Sequence, residues 1–183
     1  MAKPRIGVLA LQGDFEAHEK ALARAGALAV EVRTREDLGA VDGLIIPGGE
    51  STTMLKLLHR EGLFEPLRLF GEKKPVFGTC AGAILLATEV TNPVQESLGL
   101  IDIGVERNGY GRQLDSRIVR LEDGYEAVFI RAPIIRSVGE GATVLAHYGP
   151  DPVLVEQGRH LVATFHPELT DDTRVHDLFI GRV

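Results

Sequence analysis

The chain is poor in the residues that staple, stack or anchor a protein. It has one cysteine and no tryptophan, and only 5% of its residues are aromatic. A single cysteine excludes an internal disulfide and suits a reducing compartment. It also excludes a zinc site built on clustered thiols. His18, His59, His147, His160 and His176 show no metal-ligand spacing, so no metal and no cofactor are expected. A basic excess is lacking too. The formal net charge is −6 and no long basic run occurs, so nucleic acid is not an expected partner. Apolar runs are short. Residues 6–11 are apolar or glycine, but Gln12 and Asp14 follow, which fits neither a secretory signal nor a membrane span. The expectation is a cytoplasmic protein with no membrane partner. Its 183 residues fit one domain, 1–183, with a sizeable core.

What is present is glycine and aliphatic residues in an alternating order of elements. Residues 6–11 read as a strand buried on both faces. Asp14 is placed to cap a helix running to about residue 25, with Gly26 as its stop. Strands are expected at 28–32 and 41–46, a helix at 52–59, and a further strand at 75–77 leading into a helix at 83–87. This β-α-β order predicts a parallel sheet with right-handed crossovers. After residue 90 short strands are expected at 101–106, 116–121, 127–130, 143–147 and 153–156, read as an antiparallel extension of the sheet. A strand at 160–165 and a helix at 171–180 complete the chain. The fold class is therefore α/β. It has three layers: a central mixed, mostly parallel sheet with helices on both faces and an antiparallel extension, of flavodoxin-like type.

The only cysteine lies in Gly78-Thr79-Cys80-Ala81-Gly82, between the strand candidate at 75–77 and an apolar helix candidate. A lone cysteine is commonly just a small buried hydrophobe. Strand, glycine-bounded turn and helix, however, give the shape of a nucleophile elbow, which pushes the side chain out at the strand end. The free N–H groups at the start of the following helix favour a thiolate there. A partner stands in Thr164-Phe165-His166-Pro167-Glu168. Residues two apart on a strand share a face, so Glu168 is expected beside His166, holding one ring nitrogen while the other serves the thiol. A solvated strand end is the commoner meaning of an isolated His-x-Glu.

In an open α/β sheet, ligands bind beyond the carboxyl ends of the strands. Three segments fall there: Leu11-Gln12-Gly13, Pro47-Gly48-Gly49-Glu50-Ser51-Thr52-Thr53, and the elbow. The second is either an ordinary strand-to-helix turn capped by Ser51 or Thr52, or a loop whose N–H groups meet a ligand. No lysine follows in phosphate-loop spacing. Beside a thiolate, the Gly49 N–H and that of Ala81, the residue after the nucleophile, would form an oxyanion hole. Arg107 and Arg131 follow strand candidates. They are either solvated charges or a pair suited to a carboxylate.

These segments resemble, in order and over almost the whole chain, those of the triad (class I) glutamine amidotransferases. They are most similar to the glutaminase subunits of pyridoxal 5′-phosphate synthases. The likeness is carried by Ile6 to Gly13, by Asp42 to Met54 with its Gly-Gly-Glu-Ser-Thr-Thr-Met run, and by Pro75 to Gly82. Val105 to Asn108, residues 111–116, Phe129-Ile130-Arg131-Ala132-Pro133 and Phe165 to Thr170 add to it. Ala10 departs from the glycine many relatives carry. The resemblance implies hydrolysis of L-glutamine to glutamate and ammonia through a glutamyl thioester, with Cys80, His166 and Glu168 as triad. It implies glutamine binding by Gly49, Glu50, Ser51, Arg107, Ile130 and Arg131, and an activation and interface role for Gln12. The implied partner is the barrel-shaped synthase subunit, with twelve glutaminases around a twelve-membered core. Hydrolase chemistry, and lyase chemistry through the synthase, are both expected labels. The glutaminase subunit of another amidotransferase, such as that of histidine biosynthesis, and a non-catalytic α/β binding protein are the alternatives.

Overall fold

The structure, a computed structural model, describes residues 2–109 and 116–183; most of the resemblance at 111–116 therefore lies outside the described residues. Five strands run parallel: β1 (Arg5–Leu9), β2 (Leu28–Val32), β3 (Gly43–Ile46), β4 (Val76–Thr79) and, late in the chain, β12 (His160–Ala163). The expected antiparallel extension is made by β10 (Thr143–Tyr148) and β11 (Asp151–Gln157), which add at the edge of β12. The sheet order is β10-β11-β12-β4-β3-β1-β2. The other late strands do not extend it. β5 (Ala87–Thr91), β6 (Ile101–Glu106) and β9 (Ile134–Val138) form a separate three-stranded sheet, and β7 (Arg117–Arg120) pairs only with β8 (Glu126–Phe129). β7 leaves Arg117, Ile118 and Arg120 exposed, a pattern for a surface ribbon rather than a strand inside a covered sheet.

Helices cover both faces because the parallel strands are apolar on both. On β3, Leu44 and Ile46 point to one side and Ile45 to the other. Leu44 and Ile46 share a core with α2 (Arg35–Gly39), α3 (Ser51–Arg60), α4 (Phe64–Lys73) and α5 (Ala81–Leu86), through Leu38, Met54, Leu67 and Ile84. Ile45 and Phe77 pack with Leu22 of α1 (Phe15–Arg24) and Val175 and Phe179 of α6 (Arg174–Ile180). Fully burying one such side chain is worth about 1.5–3 kcal/mol, so these two layers dominate what holds the sheet.

Two helices, α2 and α4, are not legible in the sequence pattern. α4 contains Pro66 in its first turn, where a missing N–H costs little, and Gly71, which lets Leu100 pack against the helix backbone. Helix starts also differ from expectation. Asp14 stands at the N-cap of α1 without a side-chain cap bond; its N–H donates instead to Gly48 O at 3.2 Å. α3 is capped by Glu50 rather than Ser51 or Thr52. The Glu50 carboxylate accepts from the Thr52 and Thr53 N–H groups at 3.1 and 2.8 Å.

Candidate active site

The carboxyl ends of β1, β3 and β4 meet at one rim, and the three sequence segments meet there. Cys80 is the single residue between β4 and α5. Its backbone has φ 51 and ψ −105, left-handed for a non-glycine residue, and is pinned by Cys80 N–H donating to Ala163 O at 2.9 Å. The turn fits only because Gly82 has no side chain: a Cβ there would lie 2.1 Å from Ile46 O. Cys80 is 7% exposed, and its thiol donates to Ile130 O at 3.8 Å.

His166 follows β12, and Glu168 lies in a 3-10 turn, Pro167–Leu169. The pair is therefore joined through a turn, not along a continuous strand as expected, because β12 stops at Ala163 and proline opens the turn. The contact is tight all the same. His166 Nδ1–H donates to Glu168 Oε1 at 2.6 Å, with both residues buried. This leaves Nε2 for the thiol; among the described residues no well-formed hydrogen bond occupies it. Burial alone would lower the His166 pKa. The Cys80 sulfur and the Glu168 carboxylate, by polar contact and by charge, outweigh it and raise the value to about 10.

The Pro47–Glu50 loop lies against both partners. A Cβ on Gly48 would come 2.5 Å from His166 Cε1 and 3.4 Å from Cys80 Cβ, so ring and thiol flank one point of this loop. The loop is held from behind. Besides the Asp14 N–H on Gly48 O, the Gln12 side-chain carbonyl accepts from the Glu50 N–H at 3.1 Å. Gln12 thus touches the loop that packs against His166.

The remaining expected residues gather on the same rim. Arg107 Nη2 donates to Thr52 Oγ1 at 2.8 Å and lies 3.7 Å from Glu50 Oε1. The Glu50 carboxyl is held below its usual range, first by the Thr53 hydroxyl and then by the Thr53 and Thr52 N–H groups. Ser51 is buried, and its hydroxyl donates to Gln95 Oε1 at 3.3 Å. Arg131 is exposed, with φ 44, directly after the Ile130 carbonyl that meets the thiol. Three neighbours escaped the sequence reading: Gln95, and the buried His18 and His176 behind Glu168. The two histidines carried a signal. Each lies in the apolar stripe of a helix, His18 with Ala21 and Leu22, His176 with Val175 and Phe179.

Among the described residues, no group of three or more His, Cys, Asp or Glu is arranged to hold a metal ion, and no helix is long and apolar enough to cross a membrane.

An α/β sheet with a cysteine elbow beside a His–Glu pair is an arrangement chemically able to carry cysteine-type acyl transfer. The model of the SNO glutamine amidotransferase family matches residues 8–183, and the chain belongs to that family. Among its relatives is pyridoxal 5′-phosphate synthase subunit PdxT of Solibacter usitatus, 62% identical over 98% of this chain and 99% of the relative. The protein of the same name from Koribacter versatilis is 57% identical over 98% and 95%. A crystal structure of a glutamine amidotransferase superposes with a TM-score of 0.91 at 49% identity, covering 97% of both chains. The structure of PurLQS from Thermotoga maritima, 18% identical with a TM-score of 0.66 over 99% of this chain and 95% of that one, shares the fold. These relations correct one expectation. The family is one of amidotransferases, which cleave an amide by acyl transfer, so the lyase label does not apply to this chain.

Proposed function

We propose that this chain is the glutaminase subunit of a pyridoxal 5′-phosphate synthase, hydrolysing L-glutamine and passing ammonia to a synthase partner for vitamin B6 formation. One observation carries the chemistry: Cys80 at a strained elbow and the His166–Glu168 pair, 2.6 Å apart, flank the same glycine loop. The partner assignment is supported by relatives named PdxT at 47–62% identity over nearly the full length. That extent of likeness favours it over a histidine-biosynthesis subunit or a non-catalytic binding protein.

In this reading the Cys80 thiolate attacks the side-chain amide carbon of glutamine. The developing oxyanion is received by the N–H groups of Gly49 and Ala81, each such donor being worth about 10²–10³ in turnover. Ala81 is the first residue of α5, so its N–H has no partner within the helix. Protonated His166 gives its Nε2 proton to the leaving nitrogen and ammonia departs, leaving a glutamyl thioester. His166, now neutral, takes a proton from water, and the hydroxide equivalent attacks the thioester. Glutamate leaves, the Cys80 thiolate beside protonated His166 is restored, and the proton shed by the new carboxyl group ends on ammonia as ammonium. Glu168 holds His166 throughout. Gly49, Glu50, Ser51, Arg107, Ile130 and Arg131 receive the amino-acid end of the substrate. Gln12, seated on the Glu50 N–H, ties loop geometry to docking of the barrel-shaped synthase in a twelve-plus-twelve assembly, and the site works in the cytoplasm.

The test is an intact-mass spectrum of the complex, acid-quenched during glutamine turnover. A mass gain of one glutamyl group mapping to Cys80 is expected. An adduct on any other residue would overturn the assignment.

A further inference from the structure

Behind Glu168 lie two fully buried histidines that the reaction above does not use. Glu168 Oε1 accepts from His166, but among the described residues no hydrogen bond reaches Oε2. His18 Nε2 lies 3.4 Å from Oε2, with neither side chain exposed. The same Nε2 is 3.1 Å from Thr79 Oγ1, and His18 Nδ1 is 3.0 Å from His176 Nε2. His18 therefore touches both the residue that orients the base and the residue that precedes the nucleophile.

The proton positions follow from these contacts. Suppose His18 carried its proton on Nδ1. Its bare Nε2 would then face the carboxylate, and His176 would accept on Nε2, leaving an Nδ1–H that has no acceptor. A buried N–H without an acceptor is rare. In the other tautomer His176 Nε2–H donates to His18 Nδ1, and His18 Nε2–H donates to Thr79 Oγ1 at 3.1 Å while lying 3.4 Å from Glu168 Oε2. Only a bare ring nitrogen of His176 is then left over. Both rings must be neutral for this, and burial makes them so: it pushes His18 well below 6.5 and His176 to about 4.

We propose that His18 is a positioning residue of this site: the positive end of its Nε2–H, anchored on Thr79 Oγ1 and 3.4 Å from Glu168 Oε2, steadies the buried carboxylate electrostatically so that Oε1 stays aimed at His166, and His176 fixes the His18 tautomer. Glu168 sits in a three-residue turn, where no sheet ladder restrains it, so its orientation depends on the hydrogen bond from His166 at Oε1 and on the His18 ring 3.4 Å from Oε2. The inference rests on the Cys80–His166–Glu168 reading.

The test compares His18→Gln with His18→Asn, in complex with the synthase partner. The Gln amide reaches the place of Nε2, whereas the Asn amide reaches only that of Nδ1. His18→Gln is expected to keep kcat within about threefold of the unaltered protein, and His18→Asn to lower it by about 10–100-fold, as loss of an outer-shell partner does. KM for glutamine stays constant in both. The low-field proton resonance of the His166–Glu168 hydrogen bond persists in Gln and shifts in Asn. Equal kcat in the two variants, whether high or low, overturns the positioning role. Cys80→Ala is run alongside. If that variant still turns over glutamine, the nucleophile assignment fails instead.

Discussion

Acidification destabilises this protein in a window set by His18 and His176. Both are fully buried and lie in contact with each other. Burial lowers the His176 pKa to about 4, and that of His18 well below 6.5. In the unfolded chain both titrate near 6.5. Below that pH the unfolded state takes up protons that the native state refuses, so stability falls as pH falls. At about 1.4 kcal/mol per pH unit, His176 alone costs about 2 kcal/mol between pH 7 and pH 5, and about 3 kcal/mol by pH 4. That is a large part of the 5–15 kcal/mol typical of a domain. The carboxylates held below their usual range, such as Glu50 and Asp172, lose their contribution only at lower pH, and comparison with His176→Leu cancels what His160 and His166 add in the same window. The assay is the urea midpoint and slope at pH 7, 6 and 5 for the unaltered chain and for His176→Leu. The unaltered chain is expected to lose stability across the window, and the variant to lose about 2 kcal/mol less. A flat profile, or parallel profiles for the two proteins, would refute the reasoning.

Other perturbations follow from single contacts. Gly48→Ala puts a Cβ 2.5 Å from His166 Cε1 and should lower glutamine turnover by at least about 10²-fold at little cost in melting temperature, as steady-state kinetics beside a thermal melt would show. Glu50→Ala removes two cap bonds of α3 and should cost about 1 kcal/mol in denaturant unfolding. At the alkaline end the sign reverses. His166, raised against burial to about 10, first by the Cys80 sulfur and then by the Glu168 carboxylate, gives stability that is complete below 6.5 and lost as pH climbs through 10, so Cys80→Ala should flatten the alkaline side of the profile and Glu168→Gln should do so in part.

The parts of the molecule written in local sequence were legible. Ile6 to Leu9, Leu44 to Ile46 and the elbow at Cys80 carry apolar runs and punctuation that translate directly into strands and a turn. The pairing of His166 with Glu168 was legible as well, though through a different backbone, since Pro167 makes a turn where a strand was expected. What the sequence hid depends on tertiary placement. α4 is masked by Pro66 and Gly71, whose usual meaning is a break. β5 and β9 gain their pairing only from β6, and no short-range pattern separates that small sheet from the large one. Gln95 under Ser51, and His18 with His176 behind Glu168, join residues 44 to 158 positions apart. No spacing rule reaches that far.

Glutamate release by the Cys80→Ala complex tests the central claim most directly, namely that this one sulfur opens the amide. With the variant folded and bound to its synthase, the account predicts turnover lower by about 10⁴-fold or more, as removal of an acyl-transfer nucleophile does. Release within tenfold of the unaltered complex would contradict it.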